Sequence, residues 1–261
     1  MLKLTGISYH IGKKQILKDI STQFIPGDFN MILGPNGSGK STLLKVFSGE
    51  LGGYQGTVEY ENRPLRGIKK DELAKFRAVM SQQPDLSFPL AVEEVVMMGR
   101  YPHFSFNPSK KDEQICDAVM ERMQLSAFRG RNYLTLSGGE KQRVQYARVL
   151  AQVWEKPQQG SRYLFLDEPL TSLDINYQQE FLQVARQFVK DNTVLIAVMH
   201  DINLATQYGD KLFFLKDGAL VAAGKPKDIL SEQLLENVFD VKTAIVNNPV
   251  DHTPLVVYKG R

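Results

Sequence analysis

The chain has 261 residues, 43% of them hydrophobic and 23% charged, with a formal net charge of +3. That length lies near the upper limit for one hydrophobic core, so one domain with two lobes is expected. The charge is too small to imply nucleic acid as a partner, and a longest apolar run of about seven residues falls far short of the roughly 20 needed to span a bilayer.

In chain order, residues 1–28 read as short β segments with turn signals at Gly12 and Pro26-Gly27, and Thr57–Tyr60 continues that character. Between them, the apolar strand Phe29–Leu33 runs into Gly34-Pro35-Asn36-Gly37-Ser38-Gly39-Lys40-Ser41-Thr42, and a helical pattern carrying Leu43, Leu44 and Phe47 follows. The glycines permit a tight turn whose backbone N–H groups face an anion. Lys40 can place a point charge near the β- and γ-phosphates of a nucleotide, the Ser41 hydroxyl can ligate Mg²⁺, and the helix adds its positive N-terminal dipole. Strand, loop and helix stand in the order that phosphate binding requires.

From about Gln83 to Trp154 the pattern turns helical. One helix is expected over Ala91–Gly99 and another over Lys110–Gln124 with Ser109 as N-cap. The single cysteine, Cys116, falls in the second helix with Ile115, Val119 and Met123; it excludes an intrachain disulfide and reads as packing. Next comes Leu136-Ser137-Gly138-Gly139-Glu140, where Ser137 and Glu140 form a capping box that starts a helix through Val144, Ala147 and Leu150. With Gly138 and Gly139 leaving backbone donors uncovered, this is a second anion-binding helix terminus, although alone it would pass for an ordinary capped helix.

Tyr163–Asp167 reads as a buried parallel strand ending in two acids, Asp167 and Glu168, before Pro169. Asp167 can hold Mg²⁺ through its hydration shell, and Glu168 is the better placed general base for a water. An amphipathic helix with Tyr177, Phe181, Val184 and Phe188 follows, then the apolar strand Thr193–Met199 ending at His200. Lys211–Lys216 and Ala219–Ala223 flank Asp217-Gly218, a hairpin signal. A short helical tail over Lys227–Phe239 and a mixed end close the chain.

The order of these segments resembles an ATP-binding cassette (ABC) ATPase over nearly the whole length: Walker A (34–42), a glutamine after a strand, the LSGGE signature (136–140), Walker B (163–168), Ser172-Leu173-Asp174 and a strand ending in His200. The resemblance implies an α/β fold: a RecA-like α/β core with an N-terminal antiparallel β subdomain (1–82 and 160–261) and a helical subdomain (83–159), all within one ABC ATPase domain. It implies ATP as substrate, Mg²⁺ as cofactor and a head-to-tail dimer of two copies, each ATP lying between one copy's Walker A and the other's signature. It assigns Gln82 to sensing Mg²⁺ and water, with Gln83 as a one-residue alternative, and His200 to the γ-phosphate beside Glu168. Tyr9 matches the adenine-stacking aromatic, with a half-exposed strand tyrosine as the alternative, and Asp174 matches the acid that crosses the dimer interface. Glu140 stands where glutamine is commoner in the family, and Leu170 where a small residue is usual.

Within the family, Phe88–His103 looks most like the iron-siderophore, vitamin B12 and haem uptake group, and so does Ala147–Trp154 with the Lys156–Arg162 insertion, which is most similar to the haem importer ATPases. That likeness implies an ATPase that powers import of haem or a related iron chelate through a separate polytopic permease dimer, served indirectly by a substrate-binding protein. With no charged-then-apolar N-terminal signal, a peripheral place on the cytoplasmic face of the inner (plasma) membrane is expected. A soluble non-transport ABC ATPase, such as an iron–sulfur cluster assembly factor, is the alternative. His10, His103 and His252 are scattered and are not read as haem ligands.

Overall fold

The computed structural model describes residues 1–81, 86–157, 159–171, 173–190 and 192–260. Gln82, Gln83 and Ser172 lie outside them. In chain order the elements are β1 (Leu2–Ile11), β2 (Lys14–Phe24), β3 (Phe29–Leu33), α1 (Lys40–Ser48), β4 (Gln55–Tyr60), β5 (Arg63–Pro64), α2 (Lys70–Phe76) and β6 (Arg77–Met80). There follow α3 (Val92–Met97), α4 (Lys110–Arg122), α5 (Gly138–Gln152), β7 (Arg162–Asp167), α6 (Ile175–Val189), β8 (Thr193–Val198), α7 (Ile202–Tyr208), β9 (Lys211–Lys216) and β10 (Ala219–Gly224). The chain ends in α8 (Pro226–Ile229), α9 (Glu232–Phe239), β11 (Thr243–Asn247) and β12 (Pro254–Tyr258).

Among the described residues these strands form three sheets. β2-β1-β4-β5 is antiparallel, β10-β9-β3-β8-β7-β6 is parallel except at β10, and β11-β12 is a hairpin. Strands β3, β7 and β8 are buried at every position, as a sheet covered on both faces requires. Alternation then divides their side chains between two cores. Phe29, Met31, Leu33, Leu164, Leu166, Leu195 and Ala197 pack toward α3, α4, α5 and α6. Ile32, Tyr163, Phe165, Val194, Ile196 and Val198 pack toward α1 and the N-terminal sheet. The sheet is thus held from both sides, and the ends of its strands are fixed relative to one another.

Local chemistry sets most boundaries. Ser109 caps α4, accepting from the Asp112 N–H at 3.3 Å while Asp112 accepts from the Ser109 N–H at 2.9 Å. Two expected boundaries differ. The helix expected over Ala91–Gly99 is α-helical only to Met97 and tightens into a 3₁₀ segment over Met98–His103 that contains Pro102, which has no N–H for an α-helical bond. The tail expected as one helix over Lys227–Phe239 is broken between α8 and α9, because Ser231 stops the chain in an extended conformation and caps α9 through the Leu234 N–H at 3.1 Å.

The 3₁₀ segment is anchored by Arg100, which is 1% exposed. Its Nε donates to Asp112 at 2.9 Å, Nη1 to the Ala151 carbonyl at 2.8 Å and Nη2 to Glu155 at 2.6 Å. One guanidinium therefore joins the segment to α4 and to the end of α5. Burial pushes the Asp112 carboxyl up, but hydrogen bonds from Ser109 and Arg100 outweigh it and leave the group below the usual carboxylate range. A depressed carboxylate contributes stability above its unfolded pKa and loses it as pH falls through the folded pKa. Arg100→Leu should cost about 3 kcal/mol at neutral pH, because it strands a buried carboxylate. Urea unfolding checks this, and the gap between the two proteins should narrow in acid, once Asp112 is protonated.

Candidate active site

The loop 34–39 leaves the C-terminal end of β3 and enters α1. At Gly34 no side chain fits, because a Cβ would lie 2.1 Å from the Leu215 carbonyl oxygen of β9. Gly39, at φ 100°, precedes α1 and has no side chain to cap it, so the first N–H groups of the helix are offered to an anion. Lys40 Nζ donates to the carbonyls of Gly34 at 2.8 Å and Pro35 at 3.0 Å, which folds the ammonium back across the loop. Burial holds Lys40 below its ordinary range, while the charges of Glu168 and Asp167 pull it back up.

At the next parallel strands stand the acids. The Ser41 hydroxyl donates to Asp167 at 3.0 Å, tying the first turn of α1 to the last residue of β7. Asp167 is 5% exposed, and burial raises its carboxyl, opposed by the Ser41 hydrogen bond and reinforced by Glu168. A hydroxyl and a carboxylate that meet in this way are the hard oxygen donors that suit Mg²⁺, and a divalent cation would relieve the charge that burial disfavours there.

Glu168 takes φ 51°, the left-handed region uncommon for a residue with a side chain. Its N–H bonds the Val198 carbonyl at 3.2 Å, joining the strand ends. The turn aims its carboxylate at His200, whose Nε2 lies 2.7 Å from Glu168 Oε1. The Glu168 side chain is 15% exposed and that of His200 48%. Together with Thr171, Gln178 and Leu204 they line a cleft of about 260 Å³. A carboxylate at the lip of a cleft, with an imidazole holding one oxygen, can accept a proton from a water.

The remaining expected residues fall elsewhere. Tyr9 is half-buried on β1, opposite Leu17 of β2, and the Leu17 side chain lies 2.9 Å from where a Cβ of Gly39 would be. Its cross-strand partner Leu17, rather than Tyr9 itself, meets the loop at Gly39. Ser137 caps α5, accepting from the Glu140 N–H at 3.3 Å, while Glu140 accepts from the Ser137 N–H at 2.7 Å. Those hydrogen bonds hold the Glu140 carboxyl below its usual range. Ser137 and Gly138 are exposed, so this helix terminus faces outward. Asp174 acts locally and caps α6, accepting from the Tyr177 N–H at 3.0 Å.

Two links escaped the sequence reading. The Gly218 N–H donates to the Ser38 carbonyl at 3.1 Å, and the Gly218 carbonyl accepts from the Lys18 N–H at 2.8 Å, so the β9–β10 turn straps the loop 34–39 to β2. Asp217-Gly218 signalled the turn but not what it touches. Gln142, on the first turns of α5, donates to the Pro169 carbonyl next to Glu168.

Known proteins resemble this chain in sequence and in fold. The sequence pattern of the ABC transporter family matches residues 17–171. A hemin import ATP-binding protein HmuV from Gloeobacter violaceus is 42% identical over 260 residues, covering all of this chain and 94% of that protein. Its counterpart from Escherichia coli O157:H7 is 39% identical over 258 residues, covering 98% and 99%. Among solved structures, an ABC transporter chain in an inward-facing conformation shares the fold with a TM-score of 0.83 at 22% identity, covering 99% of this chain and 97% of that one. A dimeric ATP-binding cassette in a post-hydrolysis state bound to ADP and Pi has a TM-score of 0.73 at 28% identity, covering 86% and 98%. By its motifs, its fold and these relatives, the chain belongs to the ABC transporter family, as an ATP-binding cassette.

Proposed function

We propose that this chain is the ATP-hydrolysing subunit that powers import of haem, or a related iron chelate, through a separate membrane permease. The observation that carries the ATPase part is the meeting of Lys40, Ser41, Asp167, Glu168 and His200 at the C-terminal ends of β3, β7 and β8. The substrate class rests on the relatives named for hemin import, which align with the full length of the chain.

In this assignment the loop Gly34-Pro35-Asn36-Gly37-Ser38-Gly39 and Thr42 cradle the phosphates, with Lys40 as the point charge and Tyr9 against adenine. Ser41 and Asp167 hold Mg²⁺, with Gln82 as a further ligand. The ion, when bound, neutralises charge on the β- and γ-phosphates. Glu168 accepts the proton of the attacking water, and His200 fixes the carboxylate that does so. Catalysis is positioning plus charge stabilisation rather than covalent chemistry.

The outward-facing terminus Ser137-Gly138-Gly139-Glu140 belongs, in the same assignment, to the ATP of a second copy, and Asp174 lies at the contact between copies. Residues 1–82 and 160–261 act as core and β subdomain, and 83–159 as the helical subdomain. No helix among the described residues is long and apolar enough to cross a membrane. In the same assignment the permease is a separate protein, and this chain sits peripherally on its cytoplasmic side. A cleft of about 600 Å³ beside Leu90, Met97 and Tyr101 is the proposed docking surface. Phe106, 94% exposed at its edge, supports that use, and Glu93, Glu94 and Glu113 around it suit a basic permease segment.

Two measurements check the assignment. Lys40→Ala should weaken ATP binding by at least about tenfold in a nucleotide titration, and unchanged affinity would contradict the phosphate-loop role. Tagged Glu168→Gln protein, incubated with native membranes in Mg-ATP, should co-purify with a polytopic permease, and haem should stimulate ATP turnover of the corresponding wild-type complex. Recovery of soluble partners alone would instead favour a cluster-assembly ATPase and remove haem as the substrate.

A further inference from the structure

His200 closes a chain of contacts that ends at the C-terminal hairpin. The Met199 N–H donates to the Ile32 carbonyl at 2.9 Å, which fixes the end of β8 to β3. Asp201, next after His200, caps α7 by accepting from the Leu204 N–H at 2.9 Å. Helix α7 has seven residues, too few to be stable without tertiary support. One side of it, through Leu204, lines the cleft shared by Glu168 and His200. Its Asn203 points the other way, to β12.

That contact is bidentate. Asn203 Nδ2 donates to the Val256 carbonyl at 3.1 Å, and the Val256 N–H donates to Asn203 Oδ1 at 2.8 Å. A single amide thus reads both backbone groups of one β12 residue, as a neighbouring strand would. Val256 is buried, and β12 is in turn paired to β11 from Thr243↔Tyr258 to Asn247↔Pro254. Lys259 Nζ adds a contact to Glu232 of α9 at 3.1 Å.

We infer that the C-terminal hairpin is a positioning element of the ATP site: β12 holds α7 through Asn203, and α7 holds His200 against Glu168. Asn203 touches no reacting atom and acts through His200, so the inference rests on the role proposed above for that histidine. A hairpin so placed gives the chain's last residues a share in turnover without contact with the nucleotide.

Steady-state ATP hydrolysis by the full chain tests this with Asn203→Leu, His200→Ala and the double variant. Asn203→Leu should lower kcat about tenfold while KM for ATP stays within about twofold, since a small misplacement slows chemistry without touching the phosphate loop. Added to His200→Ala, it should cost nothing further, because the group it positions is gone. If Asn203→Leu does not fold, Asn203→Asp keeps the acceptor for the Val256 N–H and should show the same split with a smaller fall. A kcat unchanged by Asn203→Leu, or lowered by the same factor in both backgrounds, would overturn the positioning role while leaving that of His200 intact. Normal turnover by His200→Ala would remove the histidine's role and this inference with it.

Discussion

The hydrogen bond from Ser41 to Asp167 joins the start of α1 to the end of β7, and the rest of the site depends on the register it marks. Lys40, one residue earlier, and Glu168, one residue later, are carried by the same two elements. Both Lys40 and Asp167 are buried, and burial shifts each toward its neutral form against the opposing pull of neighbouring charges. A site held in this state gains most from a ligand that brings four phosphate charges and a divalent cation together. The desolvation is already in place before the nucleotide arrives, so binding and electrostatic stabilisation draw on one preorganised arrangement.

That arrangement is rigid because the sheet beneath it is clamped from both faces. Side chains of β3, β7 and β8 alternate between the two cores, so a shift of any strand would disturb both at once. Short polar links then extend the control outward. Gly218 straps the loop to β2, Gln142 ties the signature helix to the turn before the cleft, and Asn203 ties α7 to the C-terminal hairpin. The Gln142 link ends at the Pro169 carbonyl, one residue from the proposed base.

What the sequence disclosed was chemistry written in consecutive residues. The run 34–42, the capping box of Ser137 and Glu140, the Ser109 cap and the Asp217-Gly218 turn each depend on neighbours within five residues or so, and each stands where it was expected. The fully apolar strands were legible for the same reason. Boundaries that turn on one residue were missed: Pro102 tightening the end of α3, and Ser231 dividing the tail. Contacts between distant segments left no local trace. Nothing near Asn203 announces Val256, fifty-three positions away, and nothing near Gly218 announces Ser38. Asp174 carries a capping role that its motif position did not suggest. Gln82, legible as a motif residue, lies outside the described residues.

In the proposed dimer, the loop of one copy and the outward-facing Ser137 terminus of another make one ATP site, and mixing two disabled variants tests that claim most directly. Lys40→Ala keeps an intact signature, and Ser137→Arg keeps an intact phosphate loop; each alone should hydrolyse ATP poorly. Combined, they should recover turnover, because a mixed dimer contains one complete site. Activity of the mixture no greater than the sum of the two parts, with mixed dimers present, would contradict the composite site.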